Sequence, residues 1–150
     1  MAELLLSDAQ LAPALREIIR MGGTVELTVT GNSMNPLLHH RVSKVRLGRA
    51  DALHRGDVPL YCRSDGHCVL HRIVRCKNGL VLCGDAQQRF EYGISAENVL
   101  GVMTDFTWHG RWVSCRSLGY GIYWRAWTAP KVLLHGCRRA LGKLRRLIRA

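Results

Sequence analysis

A serine at position 33 lies in a turn-rich segment where a nucleophile would be well placed. Residues 31–36 read GNSMNP and follow a stretch with period-two hydrophobicity through Val25, Leu27 and Val29, which predicts a strand. A side chain on a rigid turn at a strand end keeps its hydroxyl and the neighbouring N–H groups accessible. Ser33 is therefore the candidate nucleophile.

His71 is the candidate base for this serine. A serine hydroxyl is a weak nucleophile at neutral pH and needs a base within hydrogen-bond reach. An ordinary histidine, with a pKa of about 6.5, is mostly neutral and basic enough at that pH. His71 shares a predicted strand face with Val69 and Ile73, where a packing residue would be expected. A half-buried histidine with a structural role is the alternative.

Acidic and further histidine residues complete the set of side chains that could do chemistry. A carboxylate on the second imidazole nitrogen would fix the tautomer of the base and stabilise its imidazolium form. Asp85, at the end of a predicted strand, is either a turn residue or such a supporting acid. Asp57 is interpreted as a turn acid. His39 and His40 are adjacent and would point to opposite faces of an extended chain, so we interpret them as loop residues rather than metal ligands.

The order of these motifs resembles the signal peptidase I superfamily, which also contains the self-cleaving SOS repressors. The resemblance covers about residues 24–105. The family's nucleophile motif, of the type G-x-S-M-x-P, is matched at Gly31, Ser33, Met34 and Pro36, and its Gly-Asp box followed by apolar residues is matched at residues 56–58. The HRIV sequence at residues 71–74 looks like the branch that uses histidine instead of lysine, and the last Gly-Asp box is at residues 84–85.

The resemblance implies a serine endopeptidase that cleaves a leader or signal peptide, with small residues just before the scissile bond. It implies that Ser33 is the nucleophile and His71 the base, with no cofactor or metal. Glu91 stands where the histidine branch has aspartate, so we expect Glu91 to orient the imidazole, with Asp85 as the other acid. The sequence departs from the family at Ala86, where asparagine is usual.

The residues on either side of the serine are expected to contribute to oxyanion or substrate contacts. These residues are Asn32 and Met34. The backbone N–H of Ser33 is the expected principal donor to the oxyanion.

Hydrophobic periodicity and turn residues predict a mainly β fold of the coiled antiparallel sheet or barrel type found in signal peptidases and SOS repressors. Ser7 is a predicted N-cap for a helix over about residues 8–21, with Pro13 inside it. Asn78-Gly79 and Gly110 predict hairpin turns. A strand is expected from Thr24 to Gly31, and further strands are expected at 43–47, 58–62, 67–76, 80–84, 99–108 and 111–115.

The sequence becomes helical again after residue 116, with an interruption expected at Pro130. Four aromatic residues share one helix face, which favours either core packing or an interfacial role: Tyr120, Tyr123, Trp124 and Trp127. An apolar stripe with basic residues around it follows over residues 131–150. We therefore divide the chain into a catalytic β domain with its helix at 1–116 and a helical extension at 117–150.

Positive charge is concentrated in this extension. The 150 residues contain 22 Lys and Arg against 11 Asp and Glu. Residues 1–105 hold 12 of the basic residues and all 11 acids, whereas residues 106–150 hold 10 basic residues and no acid. This pattern favours an anionic membrane surface, besides the peptide or preprotein substrate, as a partner. No nucleic acid partner is expected.

The chain has the composition of a folded, non-membrane domain. Its longest apolar run has four residues, at 80–83, whereas a spanning helix needs about 20. No signal peptide is recognised at the N-terminus, so we expect a cytoplasmic protein, peripheral at the membrane if the basic extension binds lipid. The six cysteines show no C-x-x-C pair and are interpreted as reduced core thiols.

Two other classes of function remain to be compared with the peptidase. A peptide-binding module of the same fold without catalysis is the principal alternative. A transcriptional regulator is disfavoured, because 23 residues with one helix are too few for a helix-turn-helix ahead of the β body.

Overall fold

The computed structural model describes residues 8–148 as a mainly β structure with one helix at each end. The predicted N-cap at Ser7 lies outside the described residues. The first helix, α1, is Asp8–Arg20, and the last, α2, is Leu118–Ile148. The strands are β1 Val25–Thr28, β2 Lys44–Gly48, β3 Pro59–Cys62, β4 Cys68–Leu70, β5 Arg72–Arg75, β6 Leu80–Cys83, β7 Glu91–Ile94, β8 Val99–Trp108 and β9 Arg111–Ser114.

The strands form two antiparallel sheets. The larger is a curled half-barrel with the order β1-β2-β8-β3-β4, in which β9 also pairs with β8. The smaller contains β5, β6 and β7. The mainly β class and the two helical ends agree with the sequence prediction.

The single strand predicted over residues 67–76 is wrong, because the chain changes sheets at His71. The segment before it, β4, pairs with β3 in the half-barrel, and the segment after it, β5, pairs with β6. A period-two pattern shows which side chains point inward but not which neighbour supplies the hydrogen bonds. His71 therefore lies at the junction of the two sheets.

The main core fills the concave side of the half-barrel. Leu15 and Ile19 of α1 pack there with Leu47 of β2 and Phe106 of β8. A smaller cluster around Tyr61 lies at the junction of the two sheets. The core thus holds α1 and the junction in place.

The expectation of six reduced core thiols is wrong. Cys62 and Cys68 are direct partners in the β3–β4 register and form a disulfide. The other four cysteines are free, and Cys137 is exposed rather than in the core. Sequence spacing did not reveal the bond because it depends on cross-strand register.

The helix break expected at Pro130 is also wrong, since α2 continues from Leu118 to Ile148. Proline removes one hydrogen bond from a helix and strains it by roughly 3 kcal/mol. Contacts on both sides of the proline offset this strain: Thr128 is buried before it, and Val132 packs against Val74 and Val81 after it. The β body therefore holds the helix across Pro130.

The aromatic face of α2 packs against the β body. Tyr120 is buried, and its hydroxyl lies 2.8 Å from Arg72 Nη1. The Trp124 ring lies so close to Gly56 that a Cβ there would be 2.5 Å from it. Of the two interpretations of the stripe, packing is the one that the structure supports. Neither helix within residues 8–148 has both the length and the apolar character that crossing a membrane would require.

Candidate active site

Ser33 lies in a turn that three backbone contacts hold in place. Gly31 N–H donates to His40 Nδ1 at 2.8 Å, and Asn35 N–H donates to the Asn32 carbonyl at 3.2 Å. Ala86 N–H donates to the Ser33 carbonyl at 2.8 Å. The turn is thus tied to the loop that follows β6, and His40 is a supporting residue that the sequence analysis assigned only to a loop.

The residues on either side of Ser33 have different surroundings. Asn32 is exposed, and its Oδ1 lies 3.5 Å from Asn35 Nδ2. Met34 is buried in the main core and also lines the cleft beside Ser33. Met34 can therefore contact a side chain bound in the cleft, whereas Asn32 is exposed to solvent.

A cleft of about 280 Å³ opens beside Ser33. One wall is β1 with the two residues after it, and the other is β4. Leu11 and Leu15 of α1, Ser33, Met34 and Leu60 of β3 complete the lining. Val69 and Leu70 of the β4 wall immediately precede His71 in the sequence, and Ser33 also lines the cleft.

His71 is almost fully buried, and its Nδ1 contacts Glu91. The distance from Nδ1 to Glu91 Oε1 is 2.9 Å, and the Tyr61 hydroxyl lies 3.1 Å from the same nitrogen. With an ionised Glu91, Nδ1 carries the proton and donates it, so the lone pair is on Nε2. The structure therefore brings these two predicted residues into direct contact.

Glu91 is held by three other hydrogen bonds. The Tyr61 hydroxyl donates to Oε2 at 2.8 Å, Arg63 Nε donates to Oε2 at 3.0 Å, and Arg63 Nη2 donates to Oε1. Burial alone would raise the pKa of Glu91, but these hydrogen bonds and the nearby imidazole outweigh it and the pKa is lowered. Glu91 is therefore a fixed carboxylate.

Tyr61 and Arg63 were not among the predicted site residues. Both belong to a segment that the sequence analysis interpreted only as strand β3 and its end. No local pattern pointed to them, because Glu91 lies on β7, a strand that the periodicity did not predict.

Asp85 does not contact His71 but forms a buried ion pair with Arg72. Arg72 Nη2 and Nε donate to the two carboxylate oxygens at 2.6 and 2.8 Å, and the Tyr123 hydroxyl donates to Oδ2 at 3.1 Å. Burial alone would lower the pKa of Arg72, but the hydrogen bonds to Asp85 outweigh it and the pKa is raised. Of the two predicted acids, only Glu91 is placed to orient the imidazole.

The loop that binds Ser33 is itself held by α2. Trp127 Nε1 donates to the Asp85 carbonyl at 2.7 Å. Lys131 Nζ donates to the same carbonyl and to that of Gln87, the latter at 3.2 Å. The helix is thus connected to the Ser33 turn through residues 84–87.

A close backbone approach at Gly84 gives the first testable prediction. A Cβ at this position would lie 2.6 Å from the Ser33 carbonyl oxygen, and backbone at both sides of that contact leaves little room to adjust. We expect Gly84→Ala to displace Ser33. The rate at which a serine-reactive acylating probe modifies Ser33 should then fall by about 10²-fold. Gly119→Ala is the matched control, because no heavy atom lies within 4 Å of that added Cβ. Equal acylation rates for the two variants would contradict the positioning role of the contact.

The environment of His71 gives a second prediction. Burial lowers the pKa of His71, and the nearby Glu91 carboxylate only partly opposes this effect. Titration of the His71 ring proton by NMR should therefore give a midpoint below about 6.5, the ordinary value. The imidazole therefore has a lower pKa in the folded chain than in the unfolded chain. Because protonation then favours the unfolded state, the free energy of unfolding should decrease as the pH falls from about 6.5 through the pKa of the folded state.

The stability change should depend on this residue. His71→Gln should remove the loss of stability in that pH window, whereas His39→Gln, at an exposed loop position, should leave it in place. Thermal unfolding between about pH 5 and 7.5 measures it. A titration midpoint of His71 above about 6.5, or identical pH profiles of stability for the two variants, would show that His71 is not a buried imidazole with a lowered pKa.

Within the described part of the chain, no hydrogen bond joins Ser33 Oγ to the His71 ring. Catalytic hydrogen bonds often tighten only when substrate binds.

Comparison of the chain with protein-family models, with curated proteins and with solved structures found no match.

Proposed function

We propose that the chain is a serine endopeptidase of the signal-peptidase-like, histidine-containing type, which cleaves a leader or signal peptide. The observation that carries the proposal is the buried His71–Glu91 pair at 2.9 Å, together with a cleft that is lined by Ser33 and by Val69 and Leu70, the two residues before His71. An imidazole with Nδ1 bonded to a fixed carboxylate and its lone pair on Nε2 is the arrangement that a serine nucleophile needs.

The cleft supports binding of an extended peptide. Its two walls, β1 and β4, are the first and last strands of the half-barrel order, and neither has a second strand partner in residues 8–148. A peptide between them would gain main-chain hydrogen bonds by strand addition, while alternate side chains would face the apolar lining. The resemblance to the signal peptidase I superfamily implies a small side chain just before the scissile bond.

The proposed reaction uses Ser33 as nucleophile and His71 as base. Ser33 Oγ attacks the scissile carbonyl carbon as its proton passes to His71 Nε2, and the resulting oxyanion accepts hydrogen bonds that include one from Ser33 N–H. When the C–N bond breaks, the leaving amine takes the proton from His71. Water then attacks the acyl-enzyme, again with His71 as base, and releases the acid and Ser33.

A fluorophosphonate probe tests the proposal directly. The full chain should form one adduct at Ser33, mapped by peptide mass spectrometry, and His71→Gln should label far more slowly because the base is absent. A peptide with alanine before the scissile bond should be cleaved, and one with tryptophan there should not.

The alternative is a peptide-binding module without catalysis, which the missing Ser33–His71 hydrogen bond favours. In that case the peptide with alanine would bind but remain intact, and Ser33 would not react with the probe. Binding and labelling measured together therefore distinguish the two functions.

A further inference from the structure

The face of α2 that points away from the β body is apolar along most of the helix. Five large aliphatic side chains on it are between 56% and 81% exposed: Leu118, Ile122, Leu133, Leu134 and Leu141. Their spacing keeps them on one side of an α-helix, opposite Tyr120, Thr128 and Lys131, which contact the body. The helix therefore has a packed face and an unpartnered apolar face.

This apolar face is long. From Leu118 to Leu141 it extends about 35 Å at 1.5 Å per residue. Contiguous apolar surface of this extent is uncommon on a monomeric protein and indicates an interaction site. It differs from the aromatic face that the sequence analysis considered for an interfacial role, since that face is occupied by the β body.

In a helical projection, basic residues lie on both sides of the apolar face. Arg125 and Lys143 fall about 100° to one side of its centre and Arg145 about 100° to the other. The segment 106–150 has 10 Lys and Arg and no acid. Basic residues at the borders of an apolar stripe are typical of helices that lie in the plane of an anionic membrane surface.

We propose that α2 binds an anionic lipid bilayer with its outer face at the boundary between headgroups and acyl chains, leaving the β body on the aqueous side. A second copy of the chain fits this face less well, because two such helices would bring their positive charges together. The proposal does not depend on catalysis, since neither Ser33 nor His71 belongs to the surface.

Vesicle flotation of the full chain tests the proposal. The chain should float with vesicles in which phosphatidylglycerol replaces part of the phosphatidylcholine, and it should stay behind with phosphatidylcholine alone. Raising the salt concentration should weaken binding, because exposed charges are screened. Ser33→Ala should float like the natural chain, which separates this result from that of the peptidase assay. Failure to float with the anionic vesicles at low salt would overturn the proposal.

Two pairs of variants test the surface itself. The double variant Ile122→Gln, Leu133→Gln should lower the partition coefficient onto the anionic vesicles at least about tenfold. The control double variant Met21→Gln, Val42→Gln removes two similarly exposed apolar residues elsewhere and should not lower it. The double variant Lys143→Gln, Arg145→Gln should lower the same partition coefficient about 30-fold. The control double variant Arg49→Gln, Arg75→Gln, with both residues at exposed positions, should have little effect.

Two results would overturn the assignment of this face. One is equal flotation of the outer-face variants and their controls. The other is a lipid-free dimer, measured by light scattering, that becomes monomeric in the Ile122→Gln, Leu133→Gln variant, since the apolar face would then be covered by a second copy.

Discussion

Replacement of Ser33 by alanine is expected to lower kcat/KM for peptide cleavage by about 10³-fold or more, because it removes the atom that attacks the substrate. The Ser33 carbonyl, which accepts the hydrogen bond from Ala86, is unchanged, so the fold should be retained. Ser64→Ala, at an exposed position, is the matched control. Activity of Ser33→Ala within about tenfold of the natural chain would exclude Ser33 as the nucleophile.

The two acids should be separated by the same assay. Glu91→Gln keeps a side chain of similar size but weakens the contact with His71, so it should lower kcat more than Asp85→Asn among molecules that remain folded. Asp85→Asn also disrupts the Arg72 ion pair, so activity must be divided by the folded fraction. The reverse order after that correction would assign the orienting role to Asp85.

Removal of the Arg72 side chain is expected to produce the largest loss of stability. Arg72 is fully buried and donates to Asp85, the Gly56 carbonyl and the Tyr120 hydroxyl. Arg72→Met leaves the Asp85 carboxylate buried without its partner, a change that typically destabilises a protein by about 3–5 kcal/mol. Urea unfolding followed by tryptophan fluorescence measures the change.

A double variant shows whether the loss comes from the uncompensated charge. Arg72→Met with Asp85→Asn should be less destabilised than the sum of the single variants, because neither charge is then buried alone. Arg20→Met, which breaks the exposed pair with Glu17, should leave the unfolding midpoint almost unchanged. Strict additivity of the first two substitutions would show that Arg72 and Asp85 do not stabilise the fold as a pair.

Features that depend on neighbouring residues were predictable from the sequence. The periodicity of residues 8–21 gave the position of α1, which ends at Arg20, and Asn78-Gly79 predicted the β5–β6 hairpin. Both turn residues adopt positive φ, 61° and 97°, which these residue types tolerate better than others. Ser33 and His71 were identified as candidates from local motifs and Glu91 from the resemblance, and hydrophobic periodicity with turn residues supplied the mainly β expectation.

Features that depend on distant partners required the tertiary structure. Arg72 and Asp85 are 13 positions apart in the sequence, and a charged residue in a strand gives no sign that it will be buried until its counterion is located. The break at His71, the Cys62–Cys68 bond and the strand β7 likewise depend on which strands pair. The sequence of α2 left core packing and an interfacial role open for its aromatic face. Only packing against the β body decided that the aromatic face is covered and the aliphatic face is exposed, because both faces are apolar in sequence.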